Sequence, residues 1–167
     1  NGDSPQSWQG AIEQNVPDKN DLLDMYVHVR RAGSQPRLQD SLWFIGGIAL
    51  DATAGNRYFD FELYQTDIFY QRSTLSFTGY GPDAGHTTWK FDPATGVVTA
   101  PGDVIFSANF SGGGLQDLVA RVWVKKTDLA INSPNFDWAG DFDGASAGAI
   151  YGYASIKPKT SQNFYQG

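Results

Sequence analysis

Apolar and polar residues alternate with a period of two along several short segments of the chain. Residues 57–65 show the alternation most cleanly. Their apolar members are Phe59, Phe61 and Leu63, and their polar members are Tyr58, Asp60, Glu62 and Tyr64. A period of two places successive side chains on opposite faces of a β-strand. The segment is therefore predicted to be a strand whose phenylalanine side faces the core.

Similar segments recur along the chain, separated by turn residues. The predicted strands are 25–32, 41–50, 57–65, 74–79, 87–91 with a short partner after the turn at 92–96, 103–110, 117–126 and 149–158. Residues 41–50 are nearly all apolar, which predicts a central strand covered on both faces. Residues 128–146 are predicted to be turn-rich. Together these segments predict one all-β domain over residues 1–167, an antiparallel β-sandwich or jelly roll of about nine strands.

The composition favours the same fold class. Sixteen of the 18 acidic residues are Asp, and only Glu13 and Glu62 are Glu. Asp favours turns and caps, whereas Glu is a good helix former. The chain also contains 19 glycines, which suits many tight turns.

Charge and residue types exclude several functions. The net charge of −6 argues against nucleic acids and anionic membranes as partners, since both need a basic surface. No apolar run approaches the ~18 residues of a membrane span, so no membrane insertion is expected. The absence of cysteine excludes disulfides, iron–sulfur clusters and thiol catalysis. His28 and His86 are the only histidines, so a site with three histidine ligands is impossible.

The polar sides of three predicted strands form a candidate binding face. Its members are Tyr26, His28 and Arg30, then Tyr58, Asp60, Glu62 and Tyr64, then Arg121 and Trp123. Aromatic rings stack on sugar faces, and carboxylates and guanidinium groups bond to hydroxyls, so neighbouring strands of this make-up would suit a glycan. The alternatives are that residues 1–24 or 128–146 cover the face, that the acids pair with Arg30 or Arg121, or that the module is a spacer without a ligand.

An enzyme is the alternative function. Asp60 and Glu62 lie two residues apart on one strand face, about 6.5–7 Å from the strand rise. Two-carboxylate glycosidases separate their acids by about 5–10 Å. The residue types of a jelly-roll polysaccharide lyase are also present, without its tight strand motifs. We therefore expect a non-enzymatic protein, with a glycan-active hydrolase or lyase as the alternative.

Calcium is the one ion that the sequence favours. Calcium binds six to eight oxygens, which Asp-rich loops can supply. The candidate ligands are Asp18, Asp21 and Asp24 in one segment, and Asp141 and Asp143 in another. Neither segment has the closing Glu of an EF-hand loop, and ordinary Asx-turns are the alternative explanation.

Four stretches together resemble a known family. They are NDLLDMYVHVRR, LWFIGGIALDATAGNRYFDFELYQ, APGDVIFSANFSGGGLQDLVARVWV and FDGASAGAIYGYASIKPKTSQNFY. The family is a domain of very large secreted and surface proteins of Bacteroidota, including gliding-motility adhesins and other type IX secretion cargo. Its most diagnostic pieces are the DFE-x-x-Q strand (Asp60 to Gln65) and the hairpin from Gly102 to Val124. These are patterns of fold and bring no catalytic residues.

The resemblance implies an extracellular module within a longer chain, of which this sequence is a fragment. Adhesion or surface display is its implied role. The expected partners are a glycan or cell-surface ligand, or neighbouring domains of the parent protein.

Overall fold

A computed structural model describes residues 3–10, 17–33, 41–52, 54–144 and 148–159. Eleven β-strands lie in these ranges, with three short 3-10 helices and no α-helix among the described residues. The strands are β1 (Leu22–Arg31), β2 (Leu42–Leu50), β3 (Arg57–Leu63), β4 (Phe69–Gln71), β5 (Ser76–Thr78), β6 (Lys90–Phe91), β7 (Val98–Ala100), β8 (Val104–Ser111), β9 (Gly114–Lys125), β10 (Phe136–Asp143) and β11 (Tyr151–Pro158). No helix in this part of the chain is long and apolar enough to cross a membrane.

The largest sheet has five strands in the order β10-β11-β9-β8-β3. Three two-stranded sheets accompany it, formed by β1 with β2, β4 with β5, and β6 with β7. The pairings of these small sheets, and those of β10 with β11 and β11 with β9, are antiparallel. The predicted all-β, sandwich-like fold class is confirmed.

Strand β10 lies where the sequence predicts only turns. Its pairing with β11 shifts register between Trp138 and Phe142. Gly140, inside the shift, has a φ of +106°, which a residue with a side chain rarely adopts. The bulge breaks the period-two pattern, and that pattern was the signal from which strands were predicted.

The described chain groups into two compact units. The core unit comprises Asn1–Ile12, Tyr58–Asn109 and Leu115–Gly167, and the hairpin unit comprises Glu13–Arg57 and Phe110–Gly114. The core unit contains most of the five-stranded sheet, and the hairpin unit contains β1 and β2.

Both faces of the five-stranded sheet are covered where β9 ends. Trp123 belongs to a buried cluster on one face, and its neighbours Val122 and Val124 belong to a cluster on the other. The first cluster is Ile105, Trp123 and Tyr153, and the second is Val122, Val124 and Ala154. The sequence predicts that Phe59, Phe61 and Leu63 face the core, and in the structure these three side chains are half-buried. The core is centred on β9 and β11, which have neighbours on both sides.

The hairpin unit corrects another prediction. Strand β2 pairs with β1, with Tyr26 opposite Gly47 and Arg30 opposite Trp43. Leu42, Trp43 and Ile45 are 51–60% exposed, so the prediction that 41–50 is covered on both faces is wrong for the described chain. A nearly continuous apolar run predicts a central strand, whereas β2 is one half of a two-stranded ribbon.

Removing the buried Ile105 side chain should destabilise the core unit strongly. Ile105 is 2% exposed, and Ile105→Ala should lower the free energy of unfolding by about 2–5 kcal/mol because it leaves a cavity. The control Val97→Ala truncates a side chain that is 45% exposed and should stay within about 0.5 kcal/mol of the parent. Urea melts measure both. An Ile105→Ala loss below about 1 kcal/mol would contradict the placement of the core.

Candidate functional site

The carboxylate of Asp103 is the centre of a buried polar cluster in the core unit. Asp103 directly precedes β8 and is fully buried. Its Oδ1 accepts a hydrogen bond from the backbone N–H of Gln65 at 2.9 Å, and its Oδ2 accepts one from the backbone N–H of Thr87 at 3.0 Å. The same Oδ2 lies 3.2 Å from His86 Nδ1. A buried carboxylate is tolerable because these groups replace its hydration.

His86 is fully buried and has partners at both ring nitrogens. Its Nε2 lies 2.9 Å from the carbonyl oxygen of Asp3. A carbonyl only accepts hydrogen bonds, so Nε2 carries a proton. The Tyr153 hydroxyl is 3.3 Å from Nδ1, and the Trp123 ring centroid is 4.1 Å from that of the imidazole. Ring, hydroxyl and carboxylate therefore form one buried network.

A tight loop positions His86. The backbone N–H of Gly81 donates to the carbonyl of Gly85, and that of Asp83 donates to the carbonyl of His86, each at 2.8 Å. Gly85 has a φ of +96°, and a Cβ there would lie 2.2 Å from Ser4 Oγ. Only glycine fits this position, which fixes the approach of residues 3–10 to the loop.

Residues 3–10 cover this end of the sheet. The Trp8 ring lies edge-on against Tyr64 at 6.0 Å and against Phe77 at 5.7 Å. The backbone N–H of Gly10 donates to the carbonyl of Leu75 at 2.7 Å. One alternative was that residues 1–24 cover the predicted binding face. Residues 3–10 do cover the end of that face that carries Tyr64.

Beyond the covered end, five side chains form a row across the five strands, called here the polar row. Ser107 Oγ donates to Asp60 Oδ1 at 2.6 Å and accepts from Arg121 NH1 at 2.6 Å. Ser155 lies opposite Arg121 on β11, and its hydroxyl donates to Asp141 Oδ2 at 2.7 Å. The serines are buried, Arg121 is half-buried, and both carboxylates are exposed. The row runs in the order Asp60, Ser107, Arg121, Ser155 and Asp141.

The structure separates the nine predicted binding residues into three groups. Tyr58, Asp60 and Arg121 lie at the open part of the sheet face, and Tyr58 is 72% exposed. Tyr64 is half-buried and stacks on His86 at 5.8 Å, and Glu62 is also half-buried. The placement of Trp123 on an open polar face is wrong, because Trp123 is 1% exposed within the core.

The other three predicted residues, Tyr26, His28 and Arg30, are exposed on β1 in the hairpin unit. Tyr26 and His28 line a depression of about 530 Å³ on that hairpin. Gly46 and Gly47 on β2 leave space opposite Val27 and Tyr26, which accounts for the depression.

Burial perturbs two titratable groups near the cluster. Desolvation raises the pKa of Glu62, and the nearby carboxylates of Asp60 and Asp103 raise it further. Desolvation likewise raises the pKa of the Tyr153 hydroxyl, with smaller contributions from Glu62 and Asp103. Glu62 and Asp60 thus differ in environment, since Glu62 is half-buried and Asp60 is exposed.

The predicted calcium ligands lie in two places. Asp18, Asp21 and Asp24 are exposed around a 3-10 helix in the hairpin unit, where the carbonyl of Asp18 accepts from the Asp21 N–H at 3.2 Å. Asp141 and Asp143 are exposed on β10 in the core unit. Among the described residues, no three His, Cys, Asp or Glu side chains group as a metal site. Calcium binding stays a prediction.

Sequence reasoning missed His86, Asp103, Ser107 and Ser155 as members of these networks. Asp103 was noted only as part of a fold pattern, and the serines carried no periodic signal. The available signal was the pair of glycine turns that precede His86 and Asp103, because close backbone approach often accompanies buried polar contacts.

Comparisons with protein-family models, with curated proteins and with solved structures found no match to this chain.

Removing the Asp103 carboxylate should strongly destabilise the core unit. Asp103→Ala leaves two buried backbone N–H groups without their acceptor and removes one partner of His86, so the free energy of unfolding should fall by about 3–5 kcal/mol. Asp103→Asn keeps one acceptor oxygen and should cost less. Asp67→Ala, at an exposed carboxylate, is the control and should change stability by less than about 0.5 kcal/mol. Equal effects of Asp103→Ala and Asp67→Ala in urea melts would contradict the role of Asp103.

The contribution of Glu62 to the free energy of unfolding should decrease as pH rises. Its raised pKa means that the folded chain binds the proton more tightly than the unfolded chain. The resulting stabilisation is complete below the ordinary value of 4.5 and is lost as pH rises through the raised folded pKa. The stability of the parent minus that of Glu62→Gln should therefore decrease from about pH 4 to about pH 8. An increase over that range would contradict the burial of Glu62.

Proposed function

We propose that this chain is a non-enzymatic, extracellular module of a large bacterial surface protein, and that it serves adhesion by contacting a glycan. The observation that carries the proposal is the open polar row with the exposed ring of Tyr58 beside it. Tyr58 and Asp60 are two residues apart on β3 and so share one face of the strand. The row offers carboxylate acceptors and guanidinium donors next to an aromatic plate, which is the chemistry of sugar recognition.

The resemblance to surface domains of Bacteroidota supports the location and the role as part of a longer protein. The covered end of the sheet also supports a binding role, because its packing makes the open end rigid. A buried network at the covered end of the same sheet face holds the strands in place, and a preordered site loses little entropy when it binds a ligand.

A glycan-active enzyme is the second candidate, and the environment of Glu62 favours it. A general acid needs a raised pKa and a partner that remains ionised. Desolvation raises the pKa of Glu62, and the exposed Asp60 lies two residues away on the same strand face. Release of reducing ends from polysaccharides by the parent chain, abolished by both Asp60→Asn and Glu62→Gln, would establish this activity and overturn the non-enzymatic proposal.

Binding should depend on Tyr58. On a glycan array screened with and without calcium, Tyr58→Ala should weaken binding about tenfold, because an exposed anchor ring is lost. Tyr80→Ala removes another exposed tyrosine, 56% exposed and outside the row, and should bind like the parent. Both variants should keep the parent's urea midpoint. Equal binding of Tyr58→Ala and the parent would contradict the proposed site, and failure of the parent to bind any glycan would contradict the proposed function.

A further inference from the structure

The two ends of the polar row are far apart. Asp60 lies on β3 and Asp141 on β10, which are the outer strands of the five-stranded sheet. Four strand spacings, about 19 Å, separate the backbones of the two strands, and each carboxylate reaches inward to a serine on the neighbouring strand. Arg121 lies on the central strand β9, two strands from each carboxylate.

The hydrogen-bonding capacity that remains in the row alternates along its length. The serine protons are already directed to Asp60 Oδ1 and Asp141 Oδ2. Each carboxylate has a second oxygen besides the one that the serine contacts. Arg121 has five N–H donors, of which one is directed to Ser107. The open row therefore presents acceptor, donor and acceptor in turn.

The charges along the row disfavour an acidic ligand. Two carboxylates flank the single guanidinium, and the whole chain carries a net charge of −6. Ser107 Oγ lies 2.6 Å from both Arg121 NH1 and Asp60 Oδ1, so an anion paired with the guanidinium would lie well within one Debye length of a carboxylate. A hydroxyl group, in contrast, can donate to a carboxylate and accept from the guanidinium.

We infer that the polar row binds a neutral, polyhydroxylated oligosaccharide that lies across the strands from Asp60 to Asp141. This inference rests on the proposed function and adds the class and orientation of the ligand. A monosaccharide reaches only one part of the row, so affinity should rise with chain length until the ligand spans it.

The experiment compares soluble neutral polysaccharides (xylan, mannan and mixed-linkage β-glucan) with acidic ones (alginate and polygalacturonate) by isothermal titration calorimetry. At least one neutral polysaccharide should bind, and neither acidic one should bind more tightly. Affinity for the neutral ligand should change less than about twofold when salt is raised from low to high ionic strength, because no charge pairing is involved. Hexasaccharides of that polymer should bind more tightly than its disaccharides.

Two variants test the two ends of the row. Asp60→Asn and Asp141→Asn should each weaken neutral binding about tenfold, because each loses a charged acceptor. Asp67→Asn is the matched control at an exposed carboxylate outside the row and should bind like the parent. Thermal melts verify that all three variants fold.

The outcomes separate this inference from the proposed function. Tighter binding of an acidic polysaccharide, lost in Arg121→Ala, would overturn the neutral ligand and leave the glycan function standing. A tenfold effect at Asp60 with none at Asp141 would overturn the crosswise orientation. No binding of any polysaccharide by the parent would overturn both.

Discussion

The buried carboxylate of Asp103 is the interaction on which the rest of the core unit depends. It accepts from backbone N–H groups of Gln65 and Thr87, which lie in two separate segments of the chain. The backbone of the same residue accepts from the N–H of Trp123 at 3.1 Å and from the indole of Trp89 at 3.0 Å. One residue thus joins the end of β3, the loop before β6 and the central strand β9. Burial of its carboxylate is offset only while the N–H groups of Gln65 and Thr87 remain in place.

The cluster around Asp103 divides one face of the sheet into two parts. At one end, His86, Trp123 and Tyr153 are covered by residues 3–10 and the loop that contains Gly85. At the other end, exposed carboxylates and the exposed Tyr58 ring remain open. The covered end supplies rigidity, and the open end supplies groups that a ligand can reach. The two ends share one face because side chains two residues apart on a strand point to the same side of the sheet.

Glu62 lies at the boundary between these two parts. Burial on one side raises its pKa, while Asp60, two residues earlier, is exposed and bonded to Ser107. The boundary position explains why one strand face carries two acids of different character. It also explains why the proposed binding function and the enzymatic alternative involve the same residues. The difference between them is whether Glu62 exchanges a proton with a bound glycan.

The sequence by itself determined the fold class, the approximate position of most strands and the candidate status of Tyr58, Asp60 and Arg121. Period-two alternation and turn residues are local signals, and they are sufficient for these features. Tertiary structure decided that Trp123 is buried, that β10 forms through a bulge at Gly140, and that β2 is an exposed half of a ribbon. It also decided that His86 meets Asp103 and that Ser107 links Asp60 to Arg121. These contacts join residues far apart in the chain, and alternation assigns a side chain to a face without indicating what covers that face.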